Sequence, residues 1–422
     1  MTNSSITCFE RNALAQGAAA SRSPDEAQPR QLKRQNAKAR FARPAVWRPP
    51  LPVMACLAGV ACLAGVLAIC AGAQPITAVA PARPAAVVAQ ARQPQPQARL
   101  ELAWPTPNRA FFEGRGIEAF IQPTASGAVE SGLFGGTRNG GLRFHEGIDL
   151  KALSRDKNGE PTDPIFAVLP GVVRYINLVP GNSEYGRYIV IEHTGAMPPV
   201  YSLYAHLSAV QPGLRAGAAV GRGQRIATMG RSSSTLAIPK AQAHVHLELG
   251  VRLTDNFQSW YDSKKFGGKN SHGIFNGYNL MGFDPLDFFR KWRADKVADF
   301  QGYFAQMQQA VRVRVVTRVT PDFVRRYPSL LTKPLPPGAG GGNIGGALGG
   351  WEITCNPTGL PFAWTPLTTM ETMGEQPGSA RIVAYDAAII KAWRCRSIVV
   401  TSRGMAKPGR DLQDVLDMLF GK

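Results

Sequence analysis

Five side chains suited to metal binding and proton transfer fall in three short segments: His145-x-x-x-Asp149, His206 within Tyr204-Ala205-His206-Leu207, and His244-Val245-His246. The chain has only six histidines in 422 residues, and four of them belong to this set. A hydrolytic zinc centre takes three ligands from His, Cys, Asp or Glu and leaves a fourth position to water. His145 and Asp149 offer two donors, and Gly147 between them permits a sharp turn. His244 and His246 lie two apart on an expected strand, so both rings point to one face, and His206 ends another strand. The set exceeds the needs of one zinc, and the surplus is suited to moving protons on the attacking water. Spacing alone does not distinguish His244 from His246 as a ligand. His193 and His272 read as structural or surface residues.

The elements that must position these groups are short. Residues 165–169, 171–176, 187–193, 200–206, 224–229 and 243–249 are β-type runs bounded by Gly and Pro. They predict a mainly β domain, an antiparallel sheet or sandwich, and argue against a doubly wound α/β fold. Helical periodicity appears over residues 286–309, where Phe289, Trp292, Val297, Phe300, Phe304 and Met307 recur at spacings of three and four. A Pro- and Gly-rich stretch over 335–350 reads as a linker, and residues 411–420 as a short helix in an α+β C-terminal extension.

Further motifs surround the histidines: Phe134-Gly135 with Arg138, His145-Glu146-Gly147-Ile148-Asp149, Pro170-Gly171, Tyr185-Gly186-Arg187, Gly223-Gln224, Gly230 and Asp284-Pro285-Leu286. With them, residues 131–292 resemble the LytM and lysostaphin type of zinc metallopeptidase, a β-rich duplicated hybrid motif domain that cuts peptide bonds in peptidoglycan. The resemblance implies zinc on His145, Asp149 and His246, with His206 and His244 beside the water and the oxyanion as catalytic groups. It implies amide hydrolysis without a covalent intermediate, performed by an endopeptidase acting on peptidoglycan peptides in cell wall remodelling. The contrasting reading is a non-catalytic member of the fold that binds wall or regulates an amidase; such a protein is expected to lack ligands. A hydrolase of protein substrates is a third. The chain departs from the family pattern in one extra residue between Phe134-Gly135 and Arg138, and in inserts over 154–163, 230–242 and 253–280. These are expected to shape the groove walls and the substrate preference.

Composition sets the remaining bounds. Residues 53–73 carry no charge, follow a basic stretch and close with Ala71-Gly72-Ala73, the pattern of a signal peptide or a membrane anchor. Basic residues ahead of it place everything after residue 74 outside the inner membrane, in the periplasm or cell envelope. The expected organisation is a disordered basic leader (1–52), the apolar segment (53–73), a Pro/Ala/Gln-rich linker (74–100), the metallopeptidase domain (101–292) and an accessory region (293–422).

The net charge is +19, and the chain after residue 73 keeps 39 basic against 26 acidic residues. That surplus suits an anionic partner. No RNP-like motif or zinc-finger spacing accompanies it, so no nucleic acid partner is expected. The inner membrane is expected as a partner through residues 53–73 where that segment is retained, and the C-terminal region is assigned a wall or regulatory contact. Only Cys355 and Cys395 follow the apolar segment, which predicts one disulfide in an oxidising compartment.

Overall fold

The computed structural model describes residues 99–234, 236–336 and 347–421; the leader, the apolar segment and nearly all of the linker expected ahead of residue 101 lie outside the described residues. In chain order the first strands are β1 (Gly135–Arg138), β2 (Arg143–His145), β3 (Ile148–Lys151), β4 (Pro164–Phe166), β5 (Gly171–Asn177), β6 (Tyr188–His193), β7 (Val200–Ala205), β8 (Ala209–Val210), β9 (Ala219–Val220), β10 (Arg225–Thr228), β11 (His244–Arg252) and β12 (Leu280–Phe283). Each run expected to be extended overlaps one of these strands. Helix α1 (Phe257–Lys264) lies within the insert ahead of β12.

A seven-stranded antiparallel sheet holds the centre, in the order β12-β11-β7-β6-β5-β9. Strand β3 pairs with the first half of β11 and β12 with its second half, so both share the side of β11 that faces away from β7. Alternation divides the sheet into two faces. Val245, Leu247, Leu249 and Val251 of β11 join Ile189, Ile191 and Tyr204 in the main core. On the other face Tyr185, Tyr188, Val190, Tyr201, Leu203 and Ala205 form a smaller cluster, and His244, His246 and Glu248 share that side. A one-residue slip of β11 would drive the histidines into the main core.

The second half of the described chain adds α2 (Pro285–Arg293), α3 (Phe300–Ala305), β13 (Val311–Val316), α4 (Asp322–Arg326), β14 (Leu348–Cys355), β15 (Pro361–Thr368), β16 (Ala380–Tyr385), α5 (Ala387–Ala392), β17 (Val399–Ser402), β18 (Met405–Pro408) and α6 (Arg410–Phe420). Strands β13 to β16 form a four-stranded antiparallel sheet in the order β15-β14-β13-β16. One buried core runs without interruption from Leu102 to Leu419, through Phe288, Phe289, Trp351 and Trp364. The expected boundary at residue 293 therefore falls on a packed seam at the end of α2.

One expected pattern resolves into two parts, and two expectations are corrected. The helical periodicity of 286–309 belongs to two helices, because Asp295 adopts a left-handed φ of 55° after α2 and Asp299 caps α3 through Gly302 N at 2.7 Å. Val297, Phe300 and Phe304 stay buried across the break, so the period reports burial on both sides of a turn. Residues 348–350, expected as linker, are the first turn-free part of β14, while 337–346 lie outside the described residues. The expected disulfide is not formed: Cys355 is a free thiol on β14. Cys395 packs elsewhere, where its Sγ would lie 2.9 Å from a Cβ placed on Gly136.

The Asp284-Pro285-Leu286 motif has a local cause. The Asp284 carboxylate accepts from Leu286 N (2.9 Å) and Asp287 N (3.1 Å), and Pro285 occupies the first helical position, where no N–H is needed. Replacing Asp284 with Ala is expected to cost about 1 kcal/mol of unfolding free energy, up to about 2. Urea denaturation of the two proteins checks this, and an unchanged midpoint would refute the capping role.

Candidate metal centre

Three strands converge on the site. In the β3–β11 ladder Asp149 stands directly opposite His246, and in the β11–β7 ladder His246 stands opposite Ala205, the residue before His206. Residue pairs opposite one another in antiparallel sheets have Cα atoms about 4.5–5.5 Å apart, so the register alone brings these groups within reach. His145 arrives from β2 across the bend at Gly147. That glycine was expected to permit a sharp turn. Its φ is ordinary, and what requires glycine is contact: an added Cβ would lie 2.2 Å from the Leu247 carbonyl oxygen.

One carboxylate oxygen is the focus. Asp149 Oδ1 lies 3.1 Å from His145 Nε2, 3.0 Å from His246 Nδ1 and 3.4 Å from His244 Nε2, and the first two nitrogens are 3.0 Å from each other. All of these side chains are buried. Donor atoms of His145, Asp149 and His246 lie within 4.8 Å of one another, a cluster fit to hold a metal ion. The edge of a tetrahedron with bonds near 2.05 Å is roughly 3.3 Å, so the trio needs only small adjustments to surround zinc.

The outer atoms of the trio explain its orientation. His145 Nδ1 donates to the Leu133 carbonyl at 2.8 Å, which leaves Nε2 bare toward the centre. His246 is turned the other way: Nε2 donates to Glu248 Oε1 at 3.1 Å and Nδ1 faces the centre. Glu248 is itself held by the hydroxyls of Tyr185 (2.5 Å) and Tyr201 (2.9 Å). Asp149 Oδ2 accepts from Thr124 Oγ1 at 2.6 Å and Arg138 Nη2 at 2.8 Å, leaving Oδ1 for the site. Two imidazole nitrogens and one carboxylate oxygen, each with its far side satisfied, match the three-ligand pattern of a catalytic zinc site.

His244 and His206 stand beside the trio. Their Nδ1 atoms donate to the carbonyls of Gln242 (2.6 Å) and Ser232 (2.9 Å), so Nε2 is the available atom on each ring. Their ring centroids are 4.7 Å apart. His206 holds a left-handed φ of 59°, a conformation disfavoured for a side-chain-bearing residue, where β7 ends and its ring swings over the site. Ser232 fixes that turn, donating to the Leu207 carbonyl and accepting from Arg187 N.

Electrostatics follow from burial. Desolvation, with help from Arg138, depresses His145 to about 3. Burial also lowers His244, and lowers His206 strongly, with neighbouring imidazoles adding to it. Both are therefore neutral bases near pH 7. For His246 burial is opposed and overcome by hydrogen bonds to Asp149 and Glu248, which push it up to about 9. Burial would raise Asp149, but the surrounding His145 and His244 hold it well below the usual carboxylate range.

Two of the three expected groove-wall inserts, 154–163 and 230–242, meet. Arg231 grips Glu160 with both ends of its guanidinium (2.7 and 2.9 Å), and Arg155 Nη1 reaches the Lys240 carbonyl at 2.7 Å. His193 and His272 are buried structural residues: His193 bridges the Pro170 carbonyl and Ser202 Oγ, and His272 bridges Tyr175 and the Asn182 carbonyl.

Residues 143–257 match the model of Peptidase family M23. The match covers the stretch that carries all five side chains of the site. Among solved structures the chain is similar to a mutant catalytic domain of the prophage-encoded M23 protein EnpA from Enterococcus faecalis, at 24% identity over 31% of this chain and 80% of that one, TM-score 0.22. It is also similar to the catalytic domain of lysostaphin from Staphylococcus simulans, at 19% identity over 40% and 89% of the two chains, TM-score 0.23. A third is Csd3 of Helicobacter pylori, at 21% identity over 36% and 30%, TM-score 0.23. No curated protein matches the chain.

Sequence reading assembled all five side chains that the fold brings together, but not their supports. Glu248 was within reach of the alternation argument, since it stands two residues beyond His246 on the same face. Arg138 was visible only as part of a motif, without a role. Tyr185 too was visible only within a motif, and Thr124, Tyr201 and Ser232 had no sequence signal, because each arrives through tertiary packing.

Two predictions follow from the polarity of His246. Its Nδ1 must shed a proton for metal to bind, and in the metal-free protein it holds that proton up to about pH 9. Zinc affinity is therefore expected to rise by about tenfold per pH unit up to that range, with about one proton released per zinc, as read by chelator competition and calorimetry in buffers of different ionisation enthalpy. A flat profile would refute it. Glu248→Gln should weaken zinc binding by about 10- to 100-fold by loosening the ring it orients, measured by the same competition.

Proposed function

We propose that this chain is a zinc-dependent endopeptidase that hydrolyses peptide cross-links of bacterial peptidoglycan, exported to the periplasm or cell envelope. The observation that carries the reading is the complete set: His145, Asp149 and His246 with their donor atoms turned inward, and two further imidazoles, His206 and His244, presenting Nε2 beside them. A wall-binding or amidase-regulating protein has no need of both. The basic surplus after residue 73 is compatible with an anionic wall polymer.

Zinc held by His145, Asp149 and His246 would supply a Lewis acid that polarises the scissile carbonyl and acidifies water. The protein groups do the rest. With Nδ1–H committed to a backbone carbonyl, the neutral rings of His206 and His244 each offer a bare Nε2, the atom that can take the proton of an attacking water. The ring that takes it becomes a donor, able to stabilise the developing oxyanion or to pass the proton to the departing amine. Glu248 and Leu133 keep the two ligand rings from rotating, and Arg138 and Thr124 hold Asp149 Oδ2 so that Oδ1 stays aimed at the site.

Localisation rests on residues 53–73, which read as a signal peptide or anchor and lie outside the described residues. Among the described residues no helix is long and apolar enough to cross a membrane.

The test is release of peptide fragments from purified peptidoglycan, followed by mass spectrometry, in wild type, Asp149→Ala, His244→Ala and His246→Ala. Wild type is expected to release fragments that disappear with a chelator or with Asp149→Ala. His244→Ala should keep its zinc and lose activity by at least about 100-fold, whereas His246→Ala should lose both. Intact wall from zinc-loaded wild type would overturn the endopeptidase reading, and equal zinc content in the two histidine mutants would overturn the division of roles.

A further inference from the structure

The β1–β2 hairpin carries more of the centre than its size can support. It forms a two-stranded sheet of its own, separate from the seven-stranded sheet that holds Asp149 and His246. An isolated two-stranded hairpin is marginally stable in water. Yet this one presents His145 at its end and Arg138 against Asp149, and begins two residues after Leu133, whose carbonyl orients His145.

Its outer surface is covered from far along the chain. Immediately after α5, the Trp393 ring lies 6.4 Å from Phe134, the residue before β1, and 6.5 Å from Phe144 on β2, centroid to centroid. Gly135 and Gly136 allow the approach: a Cβ on Gly135 would meet Trp393 Cη2 at 3.0 Å, and one on Gly136 would meet Cys395 Sγ at 2.9 Å. Arg394 donates to the Gly140 carbonyl in the hairpin turn. The Arg396 guanidinium lies 4.7 Å from the centre of the Phe144 ring and donates to the Thr358 carbonyl at 3.3 Å, joining the hairpin to the β14–β15 turn. Four consecutive residues of the C-terminal region thus touch the turn and both strands of the element that carries His145.

We propose that residues 393–396, with Trp393 at their centre, are a positioning clamp for the metal site: they hold the β1–β2 hairpin so that His145 and Arg138 keep their places. Zinc affinity then depends on a region outside the stretch matched to the M23 family. The inference deepens the proposed function and rests on its zinc site. Metal centres tolerate little displacement of a ligand, about 0.5 Å, so loosening the hairpin is felt at His145 before the main sheet is disturbed. Trp393 is a positioning residue; it touches neither the trio nor His206 and His244.

The experiment uses the full chain as wild type, Trp393→Ala, Trp393→Phe, Arg394→Gln and Met405→Ala, the last an exposed residue on β18 that serves as control. Zinc dissociation constants are read by chelator competition, and amide hydrogen exchange is read over residues 134–145 and over β6, β7 and β11. Trp393→Ala should weaken zinc by about tenfold or more and speed exchange in the hairpin while leaving the central strands unchanged. Trp393→Phe should restore most of both, and Met405→Ala should match wild type. Wild-type affinity and wild-type hairpin exchange in Trp393→Ala would overturn the clamp. Should Trp393→Ala fail to fold, Arg394→Gln removes only the bond to Gly140; it should move both readouts in the same direction, and no change in either overturns the proposal. If wild type itself binds no zinc, the metal reading fails, while hairpin exchange still decides for or against the clamp.

Discussion

The register of β11 is the constraint on which the centre depends. A single residue, His246, has Asp149 opposite on one side and Ala205 opposite on the other. Its alternation places His244 and Glu248 on the same face and sends Val245, Leu247 and Leu249 into the main core. The apolar residues therefore fix which way the histidines point. Any slip would expose the core residues and bury the imidazoles among them, so folding energy and site geometry are enforced by the same hydrogen-bond ladder. The close passage of β3 past β11, which requires Gly147, ties the second ligand to that ladder as well.

Burying such a polar cluster has to be compensated. An ionised carboxylate removed from water costs several kcal/mol unless its oxygens find partners. Here Asp149 gives Oδ2 to Thr124 and Arg138 and reserves Oδ1, while each of the four imidazoles commits its outer nitrogen to a fixed acceptor. What remains unsatisfied is a convergent set of lone pairs. In the metal-free protein the proton on His246 supplies the positive charge these lone pairs call for. A divalent cation supplies more, which gives a physical reason for the site to prefer the metal as pH rises. The Glu248 and tyrosine hydroxyl network on the far side of His246 keeps that ring from turning to offer its other nitrogen.

Much of this was legible in the residues themselves. Two-residue periodicity at 243–249 predicted both a strand and a shared face for His244 and His246, and the Gly- and Pro-bounded runs predicted an antiparallel, mainly β fold. Local pattern carries that information because strand alternation is a property of neighbouring residues. It does not carry partners across a sheet. Thr124 reaches Asp149 because a bridge between Ile121 and Leu150 lays the incoming chain along β3, and Tyr201 reaches Glu248 across the β7–β11 ladder. The helical periodicity over 286–309 did not reveal the break between two helices for a related reason: periodic burial persists across a turn when both sides pack on one core. The expected pairing of Cys355 with Cys395 failed because even cysteine count says nothing of distance, and the fold draws one thiol into the four-stranded sheet and the other against the hairpin.

The smallest unit able to hold this centre is larger than the stretch that matches the M23 family. Residues 143–257 contain His145, Asp149, His206, His244 and His246, but Thr124, Leu133 and Arg138 all precede that stretch. A fragment cut to the match would keep every inward-facing atom and lose the groups that hold Asp149 Oδ2 and orient His145. It would also lose the core shared between α2, α3 and the four-stranded sheet. Ligand identity is thus encoded locally, while ligand geometry is distributed over the described chain from its first turns to the segment after α5. The C-terminal region need not contact substrate to matter to the reaction: by packing on the hairpin that bears one ligand, it becomes part of what sets the metal's affinity.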